Sequence, residues 1–455
     1  MNSAGKVLGS WIGKSVVNVD INLSFDETQL VVDGSHLPLT EDTSEGTLRE
    51  LEQNIQLLYR ISQTQLETRR TRGVFTAEKE QLNINLHDNL PTSIDITEPH
   101  PMEGLVKEFE LMGNILVAQK ISSNFPEQAL LRRQSAPHPR KMDELYNYAD
   151  SLGYPLDDET PGTLQASLDA IEDDEIRHGI TALVLKTLQP PKYFCTGVFD
   201  IIKYAHYSLG TPLYTHFTRP SRRYADIIIQ RQMEATLAGE KRFYIDRDTI
   251  QTLSQHCNVK QEAARWAKFQ SGQLFLSRYL QGVMKRQNTT AYTHEALVVA
   301  VFDHAFDVVL PEFALERRIH LDNLPIETHR FDSEKGSLTL AWKRGSPTEG
   351  HAAVRRRDYS SDDDDSGSLV DQAENDVDQD LADTVHKLGV NSSDRRTSVN
   401  GHKKRMSVIF STESIYDAQK CTQTIKALDK IKVVIMVEGD RTPPVIKVLA
   451  ANNFA

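Results

Sequence analysis

A polar, acidic stretch from about Gly345 to Thr424 divides two groups of strand-type sequence, and it constrains the fold more than any other feature. Asp358 to Asp383 is almost wholly acidic and polar, with Asp362-Asp-Asp-Asp365 at its centre. Such a tract cannot bury enough apolar area to offset the entropy of ordering, so it predicts a disordered insertion. Before it come short β-type runs, Ala296-Leu-Val-Val-Ala-Val-Phe302, Phe306-Asp-Val-Val-Leu310 and Arg318-Ile-His-Leu321, with Pro and Asn turns between them. Beyond it, Ile431-Lys-Val-Val-Ile-Met-Val437 and Pro444-Val-Ile-Lys-Val-Leu449 have the same character. Regular short strands predict a small barrel, its last strands displaced by the insertion. The expected boundaries are 286–345 for the first part of the barrel, 346–424 for the insertion and 425–455 for the closing strands. A loop of this length inside a compact barrel points to regulation.

Upstream of residue 286 the pattern is mainly helical, which makes the fold class α+β. Leu48, Leu51, Ile55, Leu58 and Ile61 recur near helical spacing within Leu48–Leu66. Leu105 to Ile121 predicts a second helix, buried on Leu105, Phe109, Met112, Ile115, Leu116 and Ile121. Asp143–Leu152, Thr163–Ala170, Ile180–Leu188, Asp226–Ala238 and Asp248–Tyr279 are further helices. Residues 6–35 differ, alternating and rich in Val and Ile around Gly5, Gly9, Gly13 and Gly34, and predict strands joined by turns.

The formal net charge of -12 argues against a protein that coats nucleic acid indiscriminately, so any such site must be local. Basic residues concentrate at Arg132, Arg133, Arg140 and Lys141, and again at Arg219, Arg222 and Arg223, interleaved with Phe, Tyr, His and Pro. That mixture suits a single strand, whose bases stack while its phosphates pair with arginine. No apolar run is long enough to span a bilayer and no basic-then-apolar leader stands at the N-terminus, which predicts a cytoplasmic protein without membrane contact. Cys195, Cys257 and Cys421 are isolated and predict reduced, buried fillers.

Tyr214-Thr-His-Phe-Thr-Arg-Pro-Ser-Arg-Arg-Tyr-Ala-Asp226 carries the densest chemistry. Pro220 suits a turn or a first helical position, Ser221 offers a cap, and two guanidiniums beside a helix start supply planar phosphate donors. The same residues also read as a structural ion-pair cluster, with Arg222 and Arg223 held by Asp226 and a nearby Glu. Tyr193, Phe194, Tyr207, Tyr214 and Phe217 read first as packing and second as base platforms. His206 and His216 read as hydrogen-bonded structural residues, since no second ligand stands at metal spacing. Arg132 and Arg133 read as RNA-backbone contacts, with a salt bridge to Glu127 as the alternative for one of them.

This stretch resembles the closing signature of the ribonuclease II (RNB) exoribonuclease family, Tyr-Thr-His-Phe-Thr-Ser-Pro-Ile-Arg-Arg-Tyr-x-Asp. Phe125-Pro-Glu-Gln-Ala-Leu-Leu-Arg-Arg133, Tyr193-Phe-Cys-Thr-Gly197 and His206-Tyr207 precede it in the family's order, and the resemblance runs from about Trp11 to the C-terminus. It implies a partial RNB domain over 1–285 followed by an OB-type barrel. It places Arg222 on the family's active-site arginine, Arg223 beside it, and Glu108 on a channel carboxylate through Leu105-Val-Lys-Glu-Phe-Glu-Leu-Met-Gly-Asn114. Lys107 stands where the family has Glu, Arg219 replaces Ser, Ser221 replaces Ile and Gln230 replaces His. The implied RNA-binding set is Arg132, Arg133, Glu108, Tyr214, His216, Arg219, Arg222 and Arg223.

RNB nucleases hold magnesium with clustered aspartates, in a pattern like Asp-Pro-x-x-Ala-x-Asp-x-Asp-Asp, and that pattern is absent from these 455 residues. Asp157-Asp158 and Asp173-Asp174 read as loop and helix surface. The expectation is therefore a chain that starts downstream of the cluster, or one whose cluster has decayed, as in the fungal Ssd-type non-catalytic mRNA-binding regulators. The interrupted barrel and the ending Pro443-Pro-Val-Ile-Lys-Val are similar to that branch. No catalytic set, metal site or cofactor is expected in this chain; Mg2+ enters only with an upstream aspartate cluster. The expected function is binding of single-stranded RNA, including mRNA, without cleavage, in the cytoplasm or its RNA granules. Alternatives are part of an active 3'-5' exoribonuclease and a kinase-regulated scaffold. His402-Lys-Lys-Arg-Met-Ser407 resembles the target pattern of NDR/LATS-type kinases and makes Ser407 a phosphorylation candidate.

Overall fold

The computed structural model describes residues 7–19, 21–37, 45–77, 82–96, 100–157, 159–332, 336–348, 415–417, 419–439 and 444–455. It comprises two compact units, Met1–Tyr279 with Glu312–Ala314, and Leu280–Pro311 with Leu315–Ala455. Ser407 and its basic motif lie outside the described residues.

The first unit opens with α1 (Phe25–Val32) and α2 (Glu45–Thr71). The strands expected over residues 6–35 are not formed among the described residues there; α1 takes their place. The cause is local. Ser24 Oγ accepts from the Glu27 N–H at 3.2 Å while the Ser24 N–H donates to Glu27 Oε2 at 2.8 Å, a reciprocal capping box that starts a helix. Val31 and Leu37 then bury against Leu48 and Ile55 of α2.

A hairpin of β1 (Leu82–His87) and β2 (Leu90–Ile96) follows, turning through Asp88 and Asn89 at φ 50° and 61°. Consecutive left-handed residues are what a two-residue hairpin turn requires, and Asp and Asn tolerate them.

Next comes α3 (Pro101–Asn124), with His100 accepting from the Met102 N–H and Pro101 in the first turn. Its buried face is rotated from the expected one. Met102, Glu108, Leu111, Asn114, Val117, Ala118 and Ile121 are buried, whereas Leu105, Phe109, Met112, Ile115 and Leu116 are only partly so. Polar residues sit on the buried stripe because each has a partner from a distant segment.

Strand β3 (Leu130–Arg133) is buried at all four positions. Helices α4 (Pro139–Ser151), α5 (Pro161–Asp169) and α6 (Asp174–Thr187) form a satellite around Met142, Leu164, Leu168 and Val184. Asp173 caps α6 by accepting from the Glu175 and Ile176 N–H groups, so this acidic pair is a helix start. Strand β4 (Lys192–Cys195) pairs antiparallel with β3, Arg132 opposite Tyr193. On the other edge of β3 the Arg132 N–H donates to Tyr214 O at 2.8 Å and Thr215 Oγ1 donates to Leu130 O at 2.8 Å.

Helix α7 (Tyr224–Leu237) lies over this layer, and α8 (Arg247–Gln287) follows. Gln232 of α7 is wholly buried, accepting from the Leu130 N–H at 3.1 Å and donating to Gln128 O at 2.6 Å. The core beneath is Ile121, Phe125, Leu130, Phe194, Ile228, Ile229 and Met233. All three cysteines are free thiols, and burial pushes Cys195 up to about 12.

The second unit contains β5 (Tyr292–Val301), β6 (Ala305–Leu310), β7 (Leu315–His320), β8 (Ile326–Asp332), β9 (Ser337–Trp342), β10 (Ile415–Asp417), β11 (Thr422–Lys426), β12 (Lys430–Glu438) and β13 (Val445–Ala450). One sheet runs β13-β12-β5-β6-β7 and the other β10-β11-β9-β8, together a nearly closed barrel-like module of the expected OB type. Strands after residue 415 insert beside strands before residue 348: β12 pairs with β5, Lys430 opposite Leu297, and β11 pairs with β9, Thr422 opposite Ala341. The closing strands are thus displaced in sequence as predicted, while β10 and the start of β11 fall inside the stretch assigned to the insertion. Trp342 fills the interior, its Nε1 donating to Gln423 Oε1 at 3.0 Å, and Gln423 in turn donates to Tyr416 Oη at 3.1 Å.

Candidate nucleic-acid interface

The arginine motif forms a tight turn that ends at α7. The Arg222 and Arg223 N–H groups both donate to Arg219 O at 3.2 Å, and the helix begins at Tyr224. Ser221 is exposed and provides no cap; Asp226, wholly buried in the first turn of α7, organises the loop instead. Its Oδ2 accepts from the Arg219 N–H at 2.8 Å and from Arg223 Nη2 and Nε at 2.8 and 3.1 Å. A buried carboxylate needs such partners, because leaving it unpaired in the interior is far costlier than ordering the loop.

An aromatic and histidine layer supports the turn. His206 and Tyr214 meet edge to face at 5.3 Å, as do Tyr214 with His216 and Tyr193 with His216, both at 5.5 Å. Burial pushes the Tyr193 hydroxyl up to about 12, so it keeps its proton, and it is hydrogen-bonded to His216 Nδ1 at 2.5 Å. Burial first, and then the nearby Arg132, pull His216 down to about 2 and His206 to about 3. Both imidazoles are neutral. Asn114 Nδ2 donates to Tyr214 Oη at 3.2 Å while its Oδ1 accepts from the Phe217 N–H at 2.8 Å, tying the loop to α3.

Arg132 and Arg133 belong to this supporting layer and not to the surface on which RNA contact was expected; they are 6% and 9% exposed. The Arg132 guanidinium lies 4.7 Å from the Tyr193 ring centre and donates to Gln261 Oε1 at 2.8 Å. That of Arg133 lies 4.4 Å from the Phe199 ring centre. Each stacks on an aromatic face. Tyr214 is likewise buried, and His216 is taken up by Tyr193.

Above this layer opens a cleft of about 260 Å³ lined by Glu103, Lys107, Glu110, Leu111, Asn114, Tyr214, Arg219, Arg222 and Arg223. Arg219 grips Glu110 with two hydrogen bonds, Nε to Oε1 at 2.7 Å and Nη2 to Oε2 at 2.9 Å. Arg222 is exposed, and among the described residues it forms no ion pair. The ion-pair reading holds for Arg223, on Asp226, and not for Arg222; Arg219 forms the second ion pair, on Glu110.

Glu108, expected on a channel, is not among the residues that line the cleft. It is buried and held by Arg69 of α2, whose Nε donates to Oε2 at 2.8 Å and whose Nη2 donates to Oε1, so it faces α2 and does not line the cleft. Glu103, Glu110 and Asn114 line the cleft instead, on the stripe that continues through Lys107. Their spacing of three and four residues along α3 is the signal that could have found them. These residues do not fit a magnesium ion: Glu110 is held by Arg219 and Asp226 by Arg223, which leaves Glu103 as a single carboxylate beside the cations Lys107 and Arg222.

The RNB domain model matches residues 1–239, more than half of the chain. This chain belongs to the RNB family. A second model, the DIS3-like exonuclease 2 C terminal, matches residues 292–377. DIS3-like exonuclease 2 of Xenopus tropicalis is 31% identical over 354 residues, which cover 74% of this chain and 42% of the relative. Protein SSD1 of Saccharomyces cerevisiae is 30% identical over 373 residues, covering 77% of this chain and 29% of the relative. The RNB chain thus spans less than half the length of either relative. The solved structure of yeast Ssd1, described as a pseudonuclease, superposes with a TM-score of 0.69 over 99% of this chain and 56% of that one, at 24% identity. Mycoplasma genitalium RNase R in complex with ribose-methylated single-stranded RNA superposes at 0.56 over 69% of this chain and 47% of that one, at 18% identity. These two likenesses show the shared fold.

Proposed function

We propose that this chain binds single-stranded RNA, messenger RNA included, through the Arg222 cleft and does not cut it. The carrying observation is one exposed guanidinium, Arg222, that forms no ion pair among the described residues and stands beside Glu110 and Asp226, both held by arginines. A planar guanidinium offers two parallel donors to a phosphate, and the buried Asp226–Arg223 pair fixes the turn that presents it. Lys107 adds a second cation on the facing helix. Glu103 is left as a lone carboxylate among Lys107 and Arg222, not the cluster a two-metal nuclease needs, so a backbone-tracking grip is what these residues can supply.

Titration of a fluorescent single-stranded RNA oligomer at several salt concentrations tests this. Arg222→Ala should weaken binding and reduce the slope of log affinity against log salt by about 0.7, the loss of one phosphate contact on a single strand. Unchanged affinity and slope would remove the cleft from RNA recognition. The similarity to an exonuclease favours a second reading, part of an active 3'-5' exoribonuclease whose magnesium-binding aspartates lie outside this sequence. Magnesium-dependent shortening of the oligomer, abolished by Arg222→Ala, would establish that reading and overturn the first. The proposal extends to control by an NDR/LATS-type kinase at Ser407. In the same titration Ser407→Asp should bind more weakly than Ser407→Ala; equal binding removes the extension.

A further inference from the structure

Away from the arginine cleft, in the second unit, three metal-ligating side chains come together from separate elements. Phe302-Asp303-His304-Ala305 is the tight turn between β5 and β6, closed by the Phe302 N–H donating to Ala305 O at 2.9 Å. A second bond holds the tip in place, from the Leu321 N–H to His304 O at 3.0 Å. His329 comes from β8, the outer strand of the other sheet, paired there with Leu340 of β9. His304 Nε2 lies 3.1 Å from Asp303 Oδ2, and His329 Nε2 lies 4.0 Å from Asp303 Oδ1. The two imidazole rings meet edge to face at 5.2 Å. One ligand atom from each residue falls within 4.8 Å of the others.

We infer that Asp303, His304 and His329 form a binding site for a divalent first-row transition ion, with zinc its natural occupant, bridging the β5–β6 turn to β8. Two imidazole nitrogens and one carboxylate oxygen are a borderline donor set that suits zinc better than magnesium or calcium, which take oxygen ligands. Zinc–ligand bonds of about 2.0–2.2 Å put tetrahedral ligand atoms about 3.3 Å apart. The Asp303–His304 separation already meets that spacing. His329 stands 4.0 Å from the carboxylate, and with all ligand atoms within 4.8 Å no pair needs to close by more than about 1.5 Å, a matter of side-chain rotation. The Asp303 carboxylate has one oxygen near each ring nitrogen, so it is the group that both imidazoles share. Three protein ligands leave the fourth position open to water, so the site accepts an exchangeable ligand as well as joining two strands. The side chains are 60%, 76% and 30% exposed for Asp303, His304 and His329, so an ion reaches them without opening the barrel.

The test is calorimetric titration of the 455-residue chain, freed of metal with a chelator, with zinc chloride. One equivalent should bind in the wild-type chain. His304→Ala and His329→Ala should each weaken it at least tenfold, and His294→Ala, a barrel histidine outside the trio, should leave it unchanged. Far-UV circular dichroism of each variant separates loss of the site from loss of fold. Substituting cobalt gives an independent readout. Intense visible d–d bands typical of four-coordination should appear in the wild type and vanish in His304→Ala/His329→Ala. Absence of a stoichiometric zinc site overturns the inference, as does a zinc or cobalt signal that survives in the folded double variant.

Discussion

Neighbouring arginines in this chain sit in different surroundings, and their partners set them apart. Arg223 is held by Asp226 and Arg219 by Glu110, while Arg222, one residue from the first, is exposed and forms no ion pair among the described residues. Sequence spacing made the trio visible as a phosphate-type motif, since the signal is local. It could not show the division of labour, because Glu110 is 109 residues from Arg219 and nothing nearby marks the pairing. Glu108 was misplaced for the same reason, its partner being Arg69 on another helix. The histidine layer gives a pH prediction. His206 and His216 titrate at about 3 and about 2 in the fold, against an ordinary 6.5, so the unfolded chain binds more protons below pH 6.5. Their contribution to stability is complete above that pH and is lost as pH falls toward the folded values. Between pH 7 and 5 the urea midpoint should drop by an amount equivalent to on the order of 1–2 kcal/mol per histidine. The double variant His206→Gln/His216→Gln should flatten that dependence; an equally steep profile would place its origin elsewhere.

At the scale of elements, helical periodicity carried far. The segments read as helices are helices, and α8 extends the last of them at both ends. Alternation at residues 6–35 misled, because period-two hydrophobicity makes a strand only where a partner edge exists, and no strand pairs with that segment among the described residues. The decisive signal was the Ser24-to-Glu27 spacing, a capping box written in four residues. Ser24→Ala should therefore cost about 1 kcal/mol and fray α1, seen as faster amide exchange over Phe25–Val32 with α3 unaffected. Protection unchanged at α1 would assign the helix to its packing on α2 alone. Strand β3 was illegible for another reason. Leu130-Leu-Arg-Arg133 is buried on every side chain, so no alternation marks it, and its two arginines are kept inside by aromatic rings from β4 and beyond.

For the whole molecule, the strongest sequence feature was also the most reliable guide. Strand-type runs on either side of the acidic stretch do share sheets, and Thr348 Oγ1 donates to Ala450 O at 2.9 Å across the break. Replacing residues 349–414 by a Gly/Ser linker of about ten residues should leave the barrel intact. It should also raise stability by roughly 1.5–2 kcal/mol, the reduced entropy of closing a shorter loop. A circular dichroism melt and the Trp342 fluorescence report on this, and loss of either signal would mean that the replaced segment is needed to build the barrel.

The interleaving of β12 beside β5 and β11 beside β9 carries a cost in time. On the ribosome, β5 and β9 emerge with edges whose partners have not yet been made. At about 5–20 residues per second, translation of residues 349–414 holds those edges open for roughly 3–13 s, far longer than a hairpin needs to form. During that interval the nascent barrel is a half-built sheet with strand edges exposed to any passing chain. The dense run of aspartates is synthesised within that window.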